Sequence, residues 1–457
     1  MKTIFLTVYE GVEAKNILRT DVLKTLLTEK DVRIVLLFKD EDRVNYYKKE
    51  FTDSRLEYVV TPMPPSNSVD KFFAQLKFYL LTTPTTFERL KILYEQDGNS
   101  FMYWVRRLTH IILGRKIFIS LARYLDFKLV TDSKYAPFFD AYNPDLVVCA
   151  NLFEEREIQL LREAKKRNIR SVGYVNTWDR VTARALIRLL PDKLVVFNPK
   201  LKQDLSRYHA VDPDKIVVTG VPQYDYYFRG GALSREEFSK TLGLDSKNKL
   251  IVYCPIGASF SDSDWEVIDL LYELKNQNKF AFPVDILVRF APNEELNEEE
   301  IKKRPYLKYD KPGQRFSFAR GIDWDMNEKD LLHLRNTLAN LDVLVTYASS
   351  ISVDAAIFNK PVINLNFELK GFPGVGQKNY TKLPTKIYKW SHYKDALDSG
   401  GIRLVNSLEN LVESINAYLR NPHLDEEGRK TLVQEQCTFT DGKSGERIGR
   451  EILSVTN

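Results

Sequence analysis

The residues best placed to do chemistry lie between Leu341 and Glu368, in the run LDVLVTYASSISVDAAIFNKPVINLNFE. Leu341 to Thr346 is apolar and β-rich, a buried strand. Ala348-Ser349-Ser350 breaks that pattern with small residues. Ser352 to Phe358 has helical character, with Val353, Ala356 and Ile357 on one face. Asn359-Lys360-Pro361 ends the helix, because Pro cannot continue it, and Pro361 to Leu365 is a second buried strand. Strand, small-residue turn, helix and strand fit a parallel βαβ crossover. The free N–H groups and the dipole at such a helix start favour an anion. Ser349, Ser350 and Ser352 add hydroxyl donors, so a diphosphate fits here. Asp354, one turn further in, is placed to accept bonds from a ribose diol. The plainer alternative is that the serines cap a helix and Asp354 answers its dipole.

A second turn of this kind follows the strand Leu250 to Cys254, where Pro255-Ile256-Gly257-Ala258-Ser259-Phe260 leads into a helix. Gly257 and Ser259 are therefore further candidates at an anion, since two such turns in one sheet reinforce each other. The strand Val284 to Phe290 carries Arg289 at its end, followed by Ala291-Pro292-Asn293.

With these residues the chain resembles the GT-B enzymes. These include nucleotide-sugar glycosyltransferases, CDP-glycerol glycerophosphotransferases and non-hydrolysing UDP-N-acetylglucosamine 2-epimerases. In that family small residues hold the diphosphate and an acid one turn later, most often Glu, holds the ribose. Ser349-Ser350 and Asp354 occupy those places, followed by Lys360-Pro361. Arg289 and Pro292 match an R-x-H-P segment in which Ala291 replaces the family's His, a departure that argues against the glycerophosphotransferase branch. Trp178-Asp179 matches a W-D pair, Gly220, Pro222 and Asp225 match a G-x-P-x-x-D turn, and Asp441 to Ile448 resembles the family's closing helix. The resemblance covers roughly Ser171 to Leu453.

It implies an α/β protein of the GT-B class, with two Rossmann-like domains facing each other across a cleft. The donor implied is a nucleotide sugar, as co-substrate rather than cofactor, with uridine as the family's usual base. Gly257, Ser259, Arg289, Ser349, Ser350, Ser352 and Asp354 would hold it, and no metal is required. The acceptor would be a glycan or lipid-linked, as in cell-surface polysaccharide or glycolipid synthesis. A 2-epimerase-like enzyme, a glycerophosphotransferase and a non-catalytic nucleotide-binding protein stay open as alternatives.

An inverting transfer needs a general base on the acceptor side. Glu10 leads, because the turn after a first parallel strand opens onto the ligand, and Gly11 leaves room beside it. Asp179 is second: Trp178 before it can stack on a sugar, and Arg180 after it is expected to pair with it. Glu154 and Glu155 start a helix, where acids are common for dipole reasons alone. His392, in Trp390-Ser391-His392-Tyr393, is a further candidate substrate contact, although a lone His is more often structural.

Strands alternating with helices must position these groups, and a chain of 457 residues calls for two domains. The division expected is residues 1–229, 230–435 and a closing segment 436–457, with a helical insertion over about 67–130. From Trp104 to Lys128 that insertion carries Arg106, Arg107, Arg115, Lys116, Arg123 and Lys128 against Asp126 alone, interleaved with aromatics. Such a segment either covers the sheet with a solvated face or meets an anionic membrane surface peripherally. The net charge of +5 is too small to argue for nucleic acid, and no recognition motif supports it. Three dispersed cysteines suggest a reducing compartment, the cytoplasm or the inner face of its membrane. The amino terminus lacks the pattern of a secretory leader, and no run reaches the length of a spanning helix. The first turn lacks G-x-G-x-x-G and there is no Walker lysine loop, which argues against nicotinamide chemistry and ATP hydrolysis.

Overall fold

The computed structural model describes residues 1–61, 63, 67–131, 134–316, 323–369 and 384–456. The chain forms two compact units: Met1–Leu90 with Ser100–Asp225 and Cys437–Asn457, and Tyr226–Gln436 with Lys91–Asn99. The first break falls four residues before the expected one at 229, and the closing segment starts at 437 rather than 436.

Among the described residues, the first unit holds a seven-stranded sheet in the order β3-β2-β1-β4-β5-β6-β7. The strands are β1 (Lys2–Thr7), β2 (Val32–Phe38), β3 (Leu56–Val60), β4 (Leu146–Cys149), β5 (Arg170–Tyr174), β6 (Lys193–Val196) and β7 (Ile216–Val218). Every neighbouring pair is parallel. β1, β2 and β4 are apolar and buried almost throughout, as expected of strands covered by helices on both faces. Strand order reverses between β1 and β4, and the turns leaving their carboxyl ends flank that point.

The second unit holds a six-stranded parallel sheet, β10-β9-β8-β13-β14-β15. Its strands are β8 (Lys249–Cys254), β9 (Val284–Arg289), β10 (Tyr309–Asp310), β13 (Val343–Thr346), β14 (Val362–Leu365) and β15 (Arg403–Val405). A separate antiparallel pair joins β11 (Gln314–Arg315) to β12 (Trp324–Asp325). The sequence also suggests edge strands over 306–309 and 315–318; the first is confined to β10, and of the second only the first two residues are described. The order reverses between β8 and β13, where Val343 to Thr346 pair with Ile251 to Cys254. The core on this sheet includes Ile251, Tyr253, Leu271, Val345, Ile363 and Ile415.

The closing helix Ser444–Thr456 lies on Asp21–Leu26 of the first unit. Glycine permits the approach: a Cβ on Gly449 would stand 2.5 Å from Thr25 Cβ, and one on Gly445 3.0 Å from the Asp21 amide nitrogen. Asp225 caps that helix, accepting from Ser444 N at 3.0 Å and Gly445 N at 2.8 Å. The G-x-P-x-x-D turn therefore serves the architecture of this unit.

The insertion folds into four helices, Ser68–Leu80, Pro84–Asp97, Ser100–Leu113 and Lys116–Leu129. Buried ion pairs fasten it to the sheet domain. Arg188 reaches Asp70 at 2.8 Å, Asp126 at 2.9 Å and Glu155, while Arg162 meets Asp126 at 2.7 Å and Lys77 meets Glu155 at 2.5 Å. No helix of the described residues is long and apolar enough to cross a membrane.

Candidate functional site

At the strand reversal of the second unit, β13 runs into Tyr347-Ala348-Ser349-Ser350 and the short helix Ile351–Ile357. Ser350 is exposed and its side chain does not cap the helix, and Ser349 is half-buried. These two present the turn outward. Ser352 does not: it is fully buried, and its hydroxyl lies 3.3 Å from Asn364 Oδ1 and 3.1 Å from Tyr393 Oη. Its expected role as a ligand donor is corrected to that of a strut under the turn. Tyr393 is the centre of this strut. Its hydroxyl accepts from Ser349 N at 3.1 Å, donates to Ser349 O at 3.3 Å and accepts from the Asn364 amide. Burial holds the Tyr393 phenol above its ordinary pKa, against the lowering effect of these bonds, so it stays protonated. Asp354 is buried and accepts from Tyr227 Oη at 2.7 Å, so a residue just past the domain break orients the carboxylate expected at the ribose. His392, next to Tyr393, packs its ring 6.1 Å from Trp390.

The turn after β8 has a different character. Gly257 has φ +92°, a conformation that favours glycine. Its amide donates to Asp264 Oδ2 at 2.8 Å, the Ile256 amide to Asp264 Oδ1 at 3.2 Å, and Tyr253 Oη to the same oxygen at 2.6 Å. Burial pushes the Asp264 carboxyl up to about 6 despite those bonds. The Gly257 amide, expected at an anion, is thus already taken by an acid of the same domain; Ser259 remains exposed. Arg289 is buried at the end of β9 and pairs with Asp310 at 2.6 Å; Asp310 also meets His333 at 2.7 Å. Arg289 is therefore fixed in orientation by a carboxylate between two basic side chains, which no sequence neighbour suggested.

The first unit's reversal is lined with acids. Glu10 precedes the helical turn Gly11–Glu13 and is largely buried, as is Gly11. Burial raises the Glu10 pKa; Arg180, 3.6 Å away, pulls it down, and Glu154 pushes it up. Beneath it Glu13 is fully buried and accepts from Tyr9 N at 2.5 Å and Glu10 N at 2.9 Å. Glu157, also fully buried, accepts from Thr7 Oγ1 and Asn151 N, each at 2.7 Å. Burial lifts both: Glu13 well above its usual range, with Glu157 and Glu10 adding repulsion, and Glu157 to about 8. The pairing expected for Asp179 is corrected: Arg180 turns to Glu10 and to Asn151 Oδ1, 2.6 Å away. Residues adjacent in a helix point to different sides, so Asp179 and Arg180 diverge. Asp179 and Trp178 are both half-exposed. Burial would raise the Glu155 pKa, but Lys77 and Arg188 engage the carboxylate and hold it below the usual range.

The family described as CDP-Glycerol:Poly(glycerophosphate) glycerophosphotransferase matches residues 176–454, more than half of the chain. The chain belongs to this family. Among curated proteins, it is similar to a teichoic acid poly(ribitol-phosphate) polymerase of Bacillus spizizenii, 26% identical over 270 residues, 57% of this chain and 37% of that protein. It is also similar to a teichoic acid glycerol-phosphate primase of Bacillus subtilis, 23% identical over 251 residues, 48% of this chain and 58% of that protein. The chain thus spans well under two thirds of either relative's length. Among solved structures, UDP-GlcNAc 2-epimerase from Neisseria meningitidis, bound to UDP-GlcNAc, superposes with a TM-score of 0.55 at 12% identity, covering 99% of this chain and 100% of that one. A variant of a wall teichoic acid polymerase gives 0.50 at 14% identity, covering 100% and 89%. These likenesses establish the fold as GT-B, with two Rossmann-like domains.

Membership in the glycerophosphotransferase family overturns the weight placed on Ala291, whose missing imidazole had argued against that branch. The matched region takes in Trp178, Asp179 and the whole serine turn, and leaves Glu10 outside. Glu13, Glu157, His333 and Tyr393 were not singled out from the sequence. Tyr393 sat beside the His that drew attention, and Glu13 and Glu157 read as ordinary first-turn acids of helices. What marks them is burial, which only the fold supplies.

Proposed function

We propose that this chain is a transferase that moves a phosphorylated polyol, most simply glycerophosphate, from a cytidine-diphosphate donor to a growing cell-surface polymer. The family match over residues 176–454 carries this reading. The small-residue turn at Ser349 and Ser350 suits either this donor or a nucleotide sugar, because both bring a diphosphate to a helix start. Asp354, held by Tyr227, would meet the ribose, and Arg289 would face the phosphates. In the transfer, the acceptor hydroxyl attacks the phosphorus of the glycerophosphoryl half. Its proton goes to a carboxylate of the first unit, for which Glu10 is the leading candidate. The P–O bond to the nucleoside monophosphate then breaks, and the leaving phosphate is stabilised by backbone amides and cations.

The acceptor is a lipid-linked chain at a membrane surface. The insertion's exposed aromatic and aliphatic side chains, with cations among them, support this part of the reading. The test is to incubate the protein with a lipid-linked acceptor and CDP-glycerol, its ribitol counterpart or a UDP-sugar in turn, and to weigh the product. Addition of one glycerophosphate with release of cytidine monophosphate is the expected result. Addition of a sugar with release of a nucleoside diphosphate would favour sugar transfer, and no transfer from any donor would leave a binding protein.

A further inference from the structure

Three helices of the insertion turn apolar stripes outward. On Ser100–Leu113 the stripe is Phe101, Trp104, Val105, Leu108, Ile111 and Ile112, spaced by three and four residues, and all six are exposed. Among the residues of this helix only His110 is buried. In a solvated helix such a stripe would face the core. On Lys116–Leu129 Ile117, Leu121 and Tyr124 repeat the pattern, and on Ser68–Leu80 Val69, Phe72 and Tyr79 do so.

Between Ser68–Leu80 and Lys116–Leu129 the surface opens into a groove of about 470 Å³. Phe73, Leu76, Leu80, Phe118, Ala122 and Leu125 line it, and Ser68 is its one polar residue. The charge around it is one-sided. The only acids on the two helices, Asp70 and Asp126, are buried in the ion pairs with Arg188 and Arg162. Lys71, Arg115, Lys116 and Lys128 are exposed, and Arg115 and Lys116 sit in the turn between the groove residues Leu113 and Phe118. An apolar trough with a cationic rim complements an amphiphile with an anionic head and a hydrocarbon tail.

We propose that this groove holds one acyl chain of an anionic membrane lipid, with the lipid's phosphate at Arg115 and Lys116. The proposal rests on the membrane reading above but claims more, since the outward stripes alone would seat the protein on a bilayer with the groove empty.

The experiment uses the full chain with phosphatidylcholine vesicles with and without phosphatidylglycerol, a fraction of the latter carrying a photoreactive group midway along one acyl chain. Sedimentation reports membrane binding and mass spectrometry of labelled peptides reports the groove. The expected labels fall on 68–80 and 116–129. Filling the groove by Ala122→Trp should cut that labelling by about tenfold, the equivalent of leaving about two methylenes unburied. Sedimentation should persist, because the stripe on 100–113 is untouched. Leu121→Glu, at an exposed position that tolerates a charge, should act alike if Ala122→Trp does not fold. Vesicle binding with labels confined to 100–113 overturns the groove and keeps the membrane reading. Failure to bind anionic vesicles at low salt sinks the membrane reading. The groove is then judged by a soluble single-chain phosphatidylglycerol carrying the same photoreactive group, whose failure to label 68–80 and 116–129 overturns it as well. Concentration-dependent self-association abolished by Leu121→Glu, without lipid labelling, assigns the face to a second copy of the chain and overturns the proposal.

Discussion

The two strand reversals of this protein are built from the same topology and opposite chemistry. In the first unit the turns after β1 and β4 bring together Glu10, Glu13 and Glu157, all buried, with Arg180 as the nearby cation. In the second, the turn after β13 is small and polar, and its support is a neutral phenol, Tyr393, bonded to backbone and amide. A buried acid cluster keeps protons and repels anions; a small-residue turn braced by neutral groups leaves its outer amides for an anion. On the function proposed above, the first would take the acceptor's proton and the second would hold the donor's diphosphate. Gly257 sharpens the contrast, because its turn copies the small-residue pattern yet closes on Asp264.

The largest effect should come from Glu10. Glu10→Gln is expected to lower turnover by about two to four orders of magnitude, as loss of a general base does, with donor affinity unchanged. The measurement is kcat alongside calorimetry with the nucleotide. Normal turnover in this variant, with a collapse in Asp179→Asn, would move the base to the matched region and leave Glu10 as a helix-start acid.

The buried acids predict a dependence of stability on pH. Glu157 titrates near 8 in the folded chain against an ordinary 4.5. The folded state therefore binds a proton that the unfolded state releases between those values. Its contribution is fully present below about 4.5 and is lost as pH rises through 8, by roughly 5 kcal/mol. Denaturant unfolding at pH 5.5 and pH 8.5 should show the first unit weakening at the higher pH, and Glu157→Gln should flatten the difference. An unchanged slope in that variant would assign the proton to another group of the cluster.

Much of this architecture was legible beforehand. Leu250 to Cys254 and Val284 to Phe290 hold the strands their apolar runs announced, and Ser349-Ser350 lies between strand and helix, as its neighbours implied. Periodicity carries such information because burial on both faces writes itself into the sequence. β15 escaped because three residues with an arginine at the start carry no such run. The partners of Arg180 and Arg289 escaped for another reason: an ion pair between residues 170 or 21 positions apart leaves no local mark, whereas the adjacent Asp179 invited a pairing that helix geometry forbids. The segment 369–389, whose Pro and Gly residues suggest a loop long enough for a lid or an acceptor loop, lies largely outside the described residues.

On the donor side, Ser350→Trp should block the turn. Losing two charge-assisted bonds to phosphate weakens binding by at least about a hundredfold. Calorimetry with CDP and UDP on both proteins reads this directly, with turnover of Glu10→Gln as the independent control. Equal affinity in wild type and variant would place the diphosphate elsewhere.

The smallest effect tests whether the second reversal depends on its brace. Tyr393→Phe removes one oxygen and keeps the ring in its packing against Tyr388, 5.5 Å away. The hydroxyl lies within bonding reach of Ser349 N, Ser352 Oγ and the Asn364 amide, so three buried groups lose a partner at once. Ser352 keeps its bond to Asn364 Oδ1 at 3.3 Å, which leaves the Asn364 Nδ2 donor and the Ser349 amide as the groups that lose this partner. One unsatisfied buried amide costs about 1–3 kcal/mol. The shift should appear as a lower denaturant midpoint without a change in slope. Donor affinity should fall by a smaller factor, because the turn can still reach the productive geometry but is no longer held in it. Serine at 349 is the part of this brace that faces outward, so Ser349→Ala, which keeps the backbone amide, should leave the midpoint unchanged while weakening the donor. Loss of stability in Ser349→Ala equal to that in Tyr393→Phe would mean that the hydroxyl at 349 also belongs to the brace, and that Ser350 alone meets the diphosphate.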